Sequence, residues 1–291
     1  MPFDVLAPAK VNLFLNVTGR RDDGYHLLES LFVFTGLADR IDGWTSELPH
    51  FHVSGEFAGG VSADQENLIL KACALMRRES GVSKPMSFCL EKYIPVAAGL
   101  GGGSADAAAT LSALNDYWEL GWPLDRLALL AGELGADVPA CLADVPVIAR
   151  GVGDELSPAP ALPPYALLLA NPRVETPTPA VFKAFARANP MIAARTLPAL
   201  PAGWDSVADL AGDLAARGND LLPAALSITP VIGDVLQALG ACEQAAFAGL
   251  SGSGATCFAL FATDEEADAA GVALQHAHPG WWFWWPDKIM G

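Results

Sequence analysis

Apolar and polar positions alternate strictly from Lys10 to Val17. Val11, Leu13, Leu15 and Val17 fall on one face, and Lys10, Asn12, Phe14 and Asn16 on the other. A period of two predicts a strand, here with one packed face and one face carrying polar groups. The run Arg20-Arg21-Asp22-Asp23-Gly24 predicts a turn, and Leu27 to Thr35 a second strand. From Asp64 to Arg78 the spacing turns helical, with Leu68, Ala72, Leu75 and Met76 on one side. Met86 to Lys92 predicts a strand, Ala107 to Tyr117 and Leu124 to Leu134 helices, and Val145 to Arg150 another strand. A Gly/Pro-rich passage follows from Gly151 to Pro164. Beyond it, strands are expected at Tyr165 to Asn171, Ala245 to Leu250 and Thr256 to Phe261. Helices are expected at Pro179 to Arg187, Pro230 to Leu239 and Glu265 to His276. Pro190 to Pro201 reads as a surface connection, and Trp281 to Trp285 as a closing strand buried on both faces, in preference to a membrane-interface or oligomer surface. Strands and helices mix without a regular βαβ rhythm, which predicts an α+β fold. The Gly/Pro-rich passage marks a boundary, giving domains of 1–153 and 154–291.

Composition narrows the partners. The chain has 291 residues, 52% of them hydrophobic and 17% charged, enough for a sizeable core. It is acidic, with 33 Asp+Glu against 17 Lys+Arg, and its basic residues cluster no further than Arg20-Arg21 and Arg77-Arg78. A nucleic-acid groove needs a basic stripe, so a nucleic-acid partner is not expected. An anionic ligand would have to be held by a few cations, backbone N–H groups and helix ends. The five cysteines are scattered and form no C-x-x-C, which fits reduced core thiols in a cytoplasmic protein. Asp4, Lys10 and Asn12 interrupt any early apolar run, so no signal peptide is expected. The uncharged stretch from Gln244 to Thr263 is split by Ser251-Gly252-Ser253-Gly254 and does not read as a membrane span. His50 with His52, and His276 with His278, lack Cys or carboxylate company, so no metal site is expected there.

The segment Gly99 to Ser104 has four glycines in five positions, placed between a strand and a helix. Without Cβ atoms, backbone N–H groups can converge on phosphate oxygens. The following helix adds unpaired N–H donors and the positive end of its dipole. Taken alone, the segment could also be a flexible turn. It is not a Walker loop, because no Gly-Lys pair occurs in the chain. It is not a dinucleotide fingerprint, because Ser104 stands where the third glycine belongs. A second glycine turn, Gly249 to Gly254, could line the same site or be an ordinary hairpin loop. Asp137, in Gly135-Ala136-Asp137-Val138-Pro139, is a candidate base or the N-cap of a short helix at Val138 to Leu142. Lys10 is a candidate cation or a solvent-facing strand lysine. A lysine beside such a carboxylate favours its ionised form and stabilises charge on a transferred phosphoryl group.

Together these segments resemble the GHMP small-molecule kinases. The resemblance runs from Pro8 to about Thr256 through Pro8 to Leu13, Gly19 to His26, Glu66-Asn67-Leu68, Pro95 to Asp106, Gly135 to Pro139, Gly151-Val152-Gly153, Asn219-Asp220-Leu221 and Gly249 to Thr256. It implies a two-lobed α+β fold with an N-terminal ATP-binding lobe and a C-terminal substrate lobe. Gly24-Tyr25-His26 and Gly135 to Pro139 narrow it to a branch of non-mevalonate isoprenoid synthesis. That branch phosphorylates the C2 hydroxyl of a cytidine diphosphate-linked methylerythritol with ATP and Mg²⁺. Carried over by position, Lys10 and Asp137 would be catalytic. Asn67, Lys92, Pro95, Val96, Ala97, Ala98, Gly99, Leu100, Gly101, Gly102, Gly103, Ser104 and Ala105 would bind ATP. Tyr25, His26 and Phe182 would surround the cytosine ring, with Asn12 and Thr178 as further substrate contacts. Ala105 departs from the pattern, standing where many relatives have a second serine, and removes a hydroxyl from the loop. No dedicated metal ligand is implied. A monomer or weak homodimer without nucleic-acid or membrane partners is expected. The alternatives are a relative acting on homoserine, mevalonate or a sugar, and a ligand sensor without catalysis. An aromatic cluster at Tyr25, His26 and Phe182 disfavours the former, and Lys10 with Asp137 the latter.

Overall fold

Alternation builds longer strands than the sequence pattern delimits. In the computed structural model, which describes residues 2–190, 192 and 194–286, β1 spans Phe3–Arg20 and β2 spans His26–Thr45. The two strands pair with each other. The chain forms two compact units, one of Met1–Lys10, Phe34–Val96 and Gly101–Val145, the other of Val11–Val33, Ala97–Leu100 and Pro146–Gly291. This grouping differs from a single cut after residue 153. The cause is the length of β1 and β2, each of which contributes residues to both units.

In the first unit, β4 (Met86–Glu91) runs antiparallel to β2, with Arg40 opposite Glu91 and Thr45 opposite Met86. The short strand β3 (Phe51–Ser54) lies parallel to β4, with Phe51 opposite Phe88. Four helices pack with this sheet: α1 (Leu68–Ser80), α2 (Gly102–Tyr117), α3 (Leu124–Leu134) and α4 (Val138–Ala143). Asn67 caps α1 by accepting from the Ile69 N–H at 2.9 Å, and Gly81 ends it at φ 72°. Ile69, Met76, Phe88, Leu90, Leu111 and Leu114 form the centre of the core. Each such side chain contributes about 1.5–3 kcal/mol on burial.

In the second unit, β5 (Val147–Arg150) pairs antiparallel with β2, Ser30 opposite Ala149. The Gly/Pro-rich passage holds another strand, β6 (Glu155–Pro158), against β5. A four-stranded antiparallel sheet has the order β10-β7-β9-β8, from β7 (Ala166–Asn171), β8 (Phe247–Leu250), β9 (Cys257–Phe261) and β10 (Trp282–Trp284). Its helices are α5 (Thr178–Ala188), α6 (Val207–Arg217), α7 (Leu222–Ile228), α8 (Val231–Gly240) and α9 (Asp264–Ala277). Leu168, Val235, Leu239, Phe261 and Phe283 are buried together in its core. The closing aromatic run is interior: Trp282, Phe283, Trp284 and Trp285 are all buried, and Trp282 sits opposite Asn171 of β7.

Candidate active site

From Ala9 to Val17 both faces of β1 are buried, including the polar positions Lys10, Asn12 and Asn16. Lys10 is 5% exposed, and Asn12 and Asn16 are less so. Burying an ammonium is costly unless an opposite charge meets it. The Lys10 Nζ lies 3.3 Å from Asp137 Oδ2. Asp137 stands at the start of α4, yet its side chain makes no capping hydrogen bond. The carboxylate pairs with Lys10 and stays one-third exposed, so it has room for a further partner.

The glycine loop meets the same lysine. Gly101 has φ 66°, and a Cβ there would lie 2.7 Å from Lys10 Cγ and 2.9 Å from Cε. Only glycine lets the loop backbone approach the lysine stem this closely. The first unit thus gathers an ammonium, a partly open carboxylate and the start of α2. That helix begins at Gly102, within the glycine loop, two residues before the start expected near Ser104, and no side chain caps its N-terminus. Its first-turn N–H groups have no intrahelical acceptor and are suited to an anion. Ser104 lies in this first turn; Ala105 after it is buried, and its N–H makes the first bond of the helix, to the Gly101 carbonyl at 2.9 Å.

Two expected ATP residues are engaged locally. Asn67 spends its side chain on the α1 cap and on the Ser62 carbonyl at 2.9 Å. Lys92 is 3% exposed and lies 2.5 Å from both Asp39 Oδ2 and Asp106 Oδ2. Pro95 and Val96 belong to the first unit, whereas Ala97, Ala98, Gly99 and Leu100 belong to the second.

In the second unit the two glycine turns are in contact. Ser251 Oγ donates to the Gly99 carbonyl at 2.9 Å, and the Thr256 N–H donates to the Ala98 carbonyl at 3.1 Å. Gly99, at φ 78°, has no space for a Cβ, which would collide with the Ser251 carbonyl. Gly249 to Gly254 is therefore more than a hairpin loop. Asn219 fixes it from α7's side, donating through Nδ2 to the Leu250 carbonyl at 2.9 Å and the Gly252 carbonyl at 2.8 Å. Asn12 also ends here: its N–H donates to Ser251 Oγ at 3.1 Å and its Nδ2 to Ser30 Oγ at 2.8 Å.

Tyr25, His26, Thr178 and Phe182 line a single cavity of about 610 Å³, with Arg20 and Lys183. Asn12 is not among its lining residues. His26 stacks on Phe182, ring centroids 5.3 Å apart and planes 30° apart. Thr178 and Ser253 share a hydrogen bond of 2.7 Å between their hydroxyls. Burial, and secondarily the Arg20 charge, lower the His26 pKa below its ordinary value. Its Nε2 has no hydrogen-bond partner among the described residues. The cavity combines flat rings, one exposed tyrosine and cationic side chains, a chemistry suited to a base linked to phosphate.

The residue pattern did not single out Asp39, Asp106, Ser251 or Asn219 individually. Asn219 and Ser251 sit inside quoted motifs, and Asp106 follows the glycine loop directly. Asp39 had no local signal, because its partners lie 53 to 55 residues away. Among the described residues no group of three or more His, Cys, Asp or Glu side chains could hold a metal ion. No described helix is long and apolar enough to cross a membrane.

Comparison with known proteins adds an independent line. Residues 67–151 match the GHMP kinases N terminal domain, and residues 197–280 match GHMP kinases C terminal. The chain is similar to the 4-diphosphocytidyl-2-C-methyl-D-erythritol kinase of Paramagnetospirillum magneticum, with 49% identity over 96% of each chain. With that of Ruegeria pomeroyi it shares 47% identity over 97% of this chain and 98% of the other. A crystal structure of 4-(cytidine 5'-diphospho)-2C-methyl-D-erythritol kinase superposes with a TM-score of 0.76 at 34% identity, covering 97% and 98% of the two chains. A homoserine kinase from Cytophaga hutchinsonii shares the fold alone, at 19% identity and a TM-score of 0.65 over 99% of this chain and 95% of that one.

Proposed function

Since the chain belongs to the 4-diphosphocytidyl-2-C-methyl-D-erythritol kinase family of the GHMP kinases, we propose that it moves the γ-phosphoryl group of ATP onto the C2 hydroxyl of that cytidine-linked alcohol. The observation that carries this reading is the buried Lys10 held 3.3 Å from the partly open Asp137 and packed on Gly101. The hydroxyl oxygen attacks the γ-phosphorus and a new O–P bond forms. The bond from that phosphorus to the bridging oxygen breaks, and ADP leaves. Asp137 takes the hydroxyl proton. Lys10 holds the carboxylate in place and adds fixed positive charge beside the transferred group. N–H groups of the loop from Pro95 to Ala105 and of α2's first turn hold the phosphates.

Tyr25, His26, Thr178 and Phe182 hold the cytidine end of the alcohol, and Asn12 orders the backbone near the glycine turns. Asn67 and Lys92 support the nucleotide side. Mg²⁺ enters with ATP. It would be held largely by phosphate oxygens and water and would supply positive charge beside the transferred phosphoryl group. The reading is of a cytoplasmic enzyme of non-mevalonate isoprenoid synthesis, a monomer or weak homodimer, with no nucleic-acid partner. The acidic balance supports that last point.

An acceptor panel tests the proposal. With ATP fixed, kcat/KM for the cytidine-linked alcohol should exceed that for mevalonate, homoserine or a free sugar by at least about a thousandfold. Turnover confined to a non-cytidine acceptor overturns it. Two further results are expected at the cavity. Phe182→Ala removes a stacking face, worth about 1–3 kcal/mol for a base. It should raise KM for the alcohol roughly tenfold or more while kcat stays within a fewfold; an unchanged KM contradicts the stacking role. His26, with its pKa lowered, stays neutral above its ordinary value of about 6.5. KM for the alcohol should therefore be level from neutral to mildly alkaline pH and rise only in acid, as the imidazole takes a proton beside Arg20. An NMR titration placing the His26 midpoint above about 6.5 contradicts this.

A further inference from the structure

Lys92, Asp39 and Asp106 meet in the interior of the first unit, and two of the three have been given no role. Asp39 is fully buried, and Lys92 and Asp106 are nearly so. Lys92 Nζ donates to Asp39 Oδ2 and to Asp106 Oδ2, each at 2.5 Å. The second oxygen of Asp39 accepts the N–H groups of Tyr93 at 2.6 Å and Ile94 at 2.9 Å. Those two residues lead from β4 into Pro95, the start of the glycine loop. Asp106 belongs to α2, one turn after Gly102, where the loop ends. A Cβ on Gly102 would lie 3.1 Å from Lys92 Nζ, so the ammonium also rests against the first residue of that helix. One buried ion cluster therefore grips both ends of the loop and anchors them to β2.

The cluster is an expensive way to hold a fold. Buried ion pairs lose their hydration and are often no better than apolar packing, and their best-attested use is to fix a register. Both flanking elements already have apolar anchors, Phe88 and Leu90 on β4 and Leu111 and Leu114 on α2. Burial opposes the Lys92 charge, but the Asp106 and Asp39 carboxylates outweigh it and leave its pKa raised. Asp106 Oδ1 has no hydrogen-bond partner among the described residues. Its other oxygen accepts from Lys92, while burial first, and then the neighbouring Asp39, push its carboxyl pKa up to about 7.

Taking the loop as the ATP cradle proposed above, we infer that Asp39 and Asp106 are positioning residues for phosphoryl transfer, which through Lys92 set the spacing of the loop's ends and so the aim of its N–H groups at the phosphates. Neither carboxylate touches ATP; both act on it through the lysine. Misplacing reacting groups by about an ångström can cost roughly a hundredfold.

The test uses the full chain and four readouts: melting temperature, calorimetric binding of a non-hydrolysable ATP analogue, and KM for ATP and for the alcohol. Asp106→Ala and Asp39→Ala should weaken analogue binding and raise KM for ATP roughly ten- to a hundredfold. KM for the alcohol should stay within about twofold in both. Asp106→Asn, which keeps an acceptor for Lys92, should recover most of the loss. Three outcomes overturn the inference: lowered melting temperatures with ATP parameters unchanged, an Asn variant no better than Ala, or alanine variants that no longer fold, which would make the cluster a structural requirement. Wild-type protein that binds no ATP analogue refutes the cradle reading itself. Wild-type protein that binds the analogue but rejects the cytidine alcohol refutes the substrate and leaves the positioning test intact.

Discussion

Asp137→Asn should lower kcat by about two to four orders of magnitude, the range spanned by positioned acid–base groups, while ATP-analogue affinity changes by less than about threefold. Asn keeps the size and a hydrogen-bonding oxygen but cannot take the hydroxyl proton. The fold should tolerate it. The Asp137 side chain supplies no cap to α4, and with one-third exposure its pairing with Lys10 is partly screened. The measurement is turnover with saturating substrates, beside analogue binding and a melting curve. Unchanged turnover refutes the base. Lost turnover together with lost analogue binding points to damage at the cradle instead.

Gly101→Val should be nearly as harmful for a different reason. Its φ of 66° lies in the left-handed region, costly for a β-branched residue. Its Cβ would press on the middle of the Lys10 side chain, 2.7 Å from Cγ. Either the loop retreats or the lysine leaves Asp137. Both move reacting groups, and kcat/KM for ATP should fall roughly a hundredfold. The strain itself should cost stability by about 1–3 kcal/mol. Gly132→Ala is the control. It lies inside α3, away from the site, with no atom within 4 Å of where its Cβ would stand, and alanine is the better helix former there. It should leave the melting temperature unchanged or raised and kcat/KM within a fewfold. Equal losses in the two variants would contradict a specific role for the approach of Gly101 to Lys10.

Much of the architecture was legible because it is local. Alternation located β1, helical spacing located α1 and α3, and turn residues bounded α9 and β9 within a residue or two. The misses have physical causes. The start of α2 was read near Ser104 because glycine is a poor helix former, yet the helix starts at Gly102, where close neighbours at Ile94 and Lys92 leave little room for a side chain. α6 does carry a helical period in Leu210, Ala211 and Leu214, which was passed over, while α7 has only seven residues and β3 only four. The grouping into two units has no counterpart in the composition, because β1 and β2 each contribute residues to both.

At the candidate site, residue types and the glycine loop carried the chemistry, while long-range partners were invisible. Lys10 could have been a solvated strand lysine until Asp137, far along the chain, was found beside it. Lys92 read as a nucleotide contact, and its two carboxylates emerged only from the folded chain. The resemblance to GHMP kinases joined these scattered positions because a family motif stores tertiary contacts that periodicity cannot.

The most direct measurement is a crystal structure with a non-hydrolysable ATP analogue and the cytidine-linked alcohol bound together. The account predicts the C2 hydroxyl oxygen within about 3.2 Å of an Asp137 carboxylate oxygen, with the γ-phosphate in reach of Lys10 Nζ and on the N–H groups of the glycine loop. A γ-phosphate bound away from that loop, or an acceptor hydroxyl facing some other base, contradicts it.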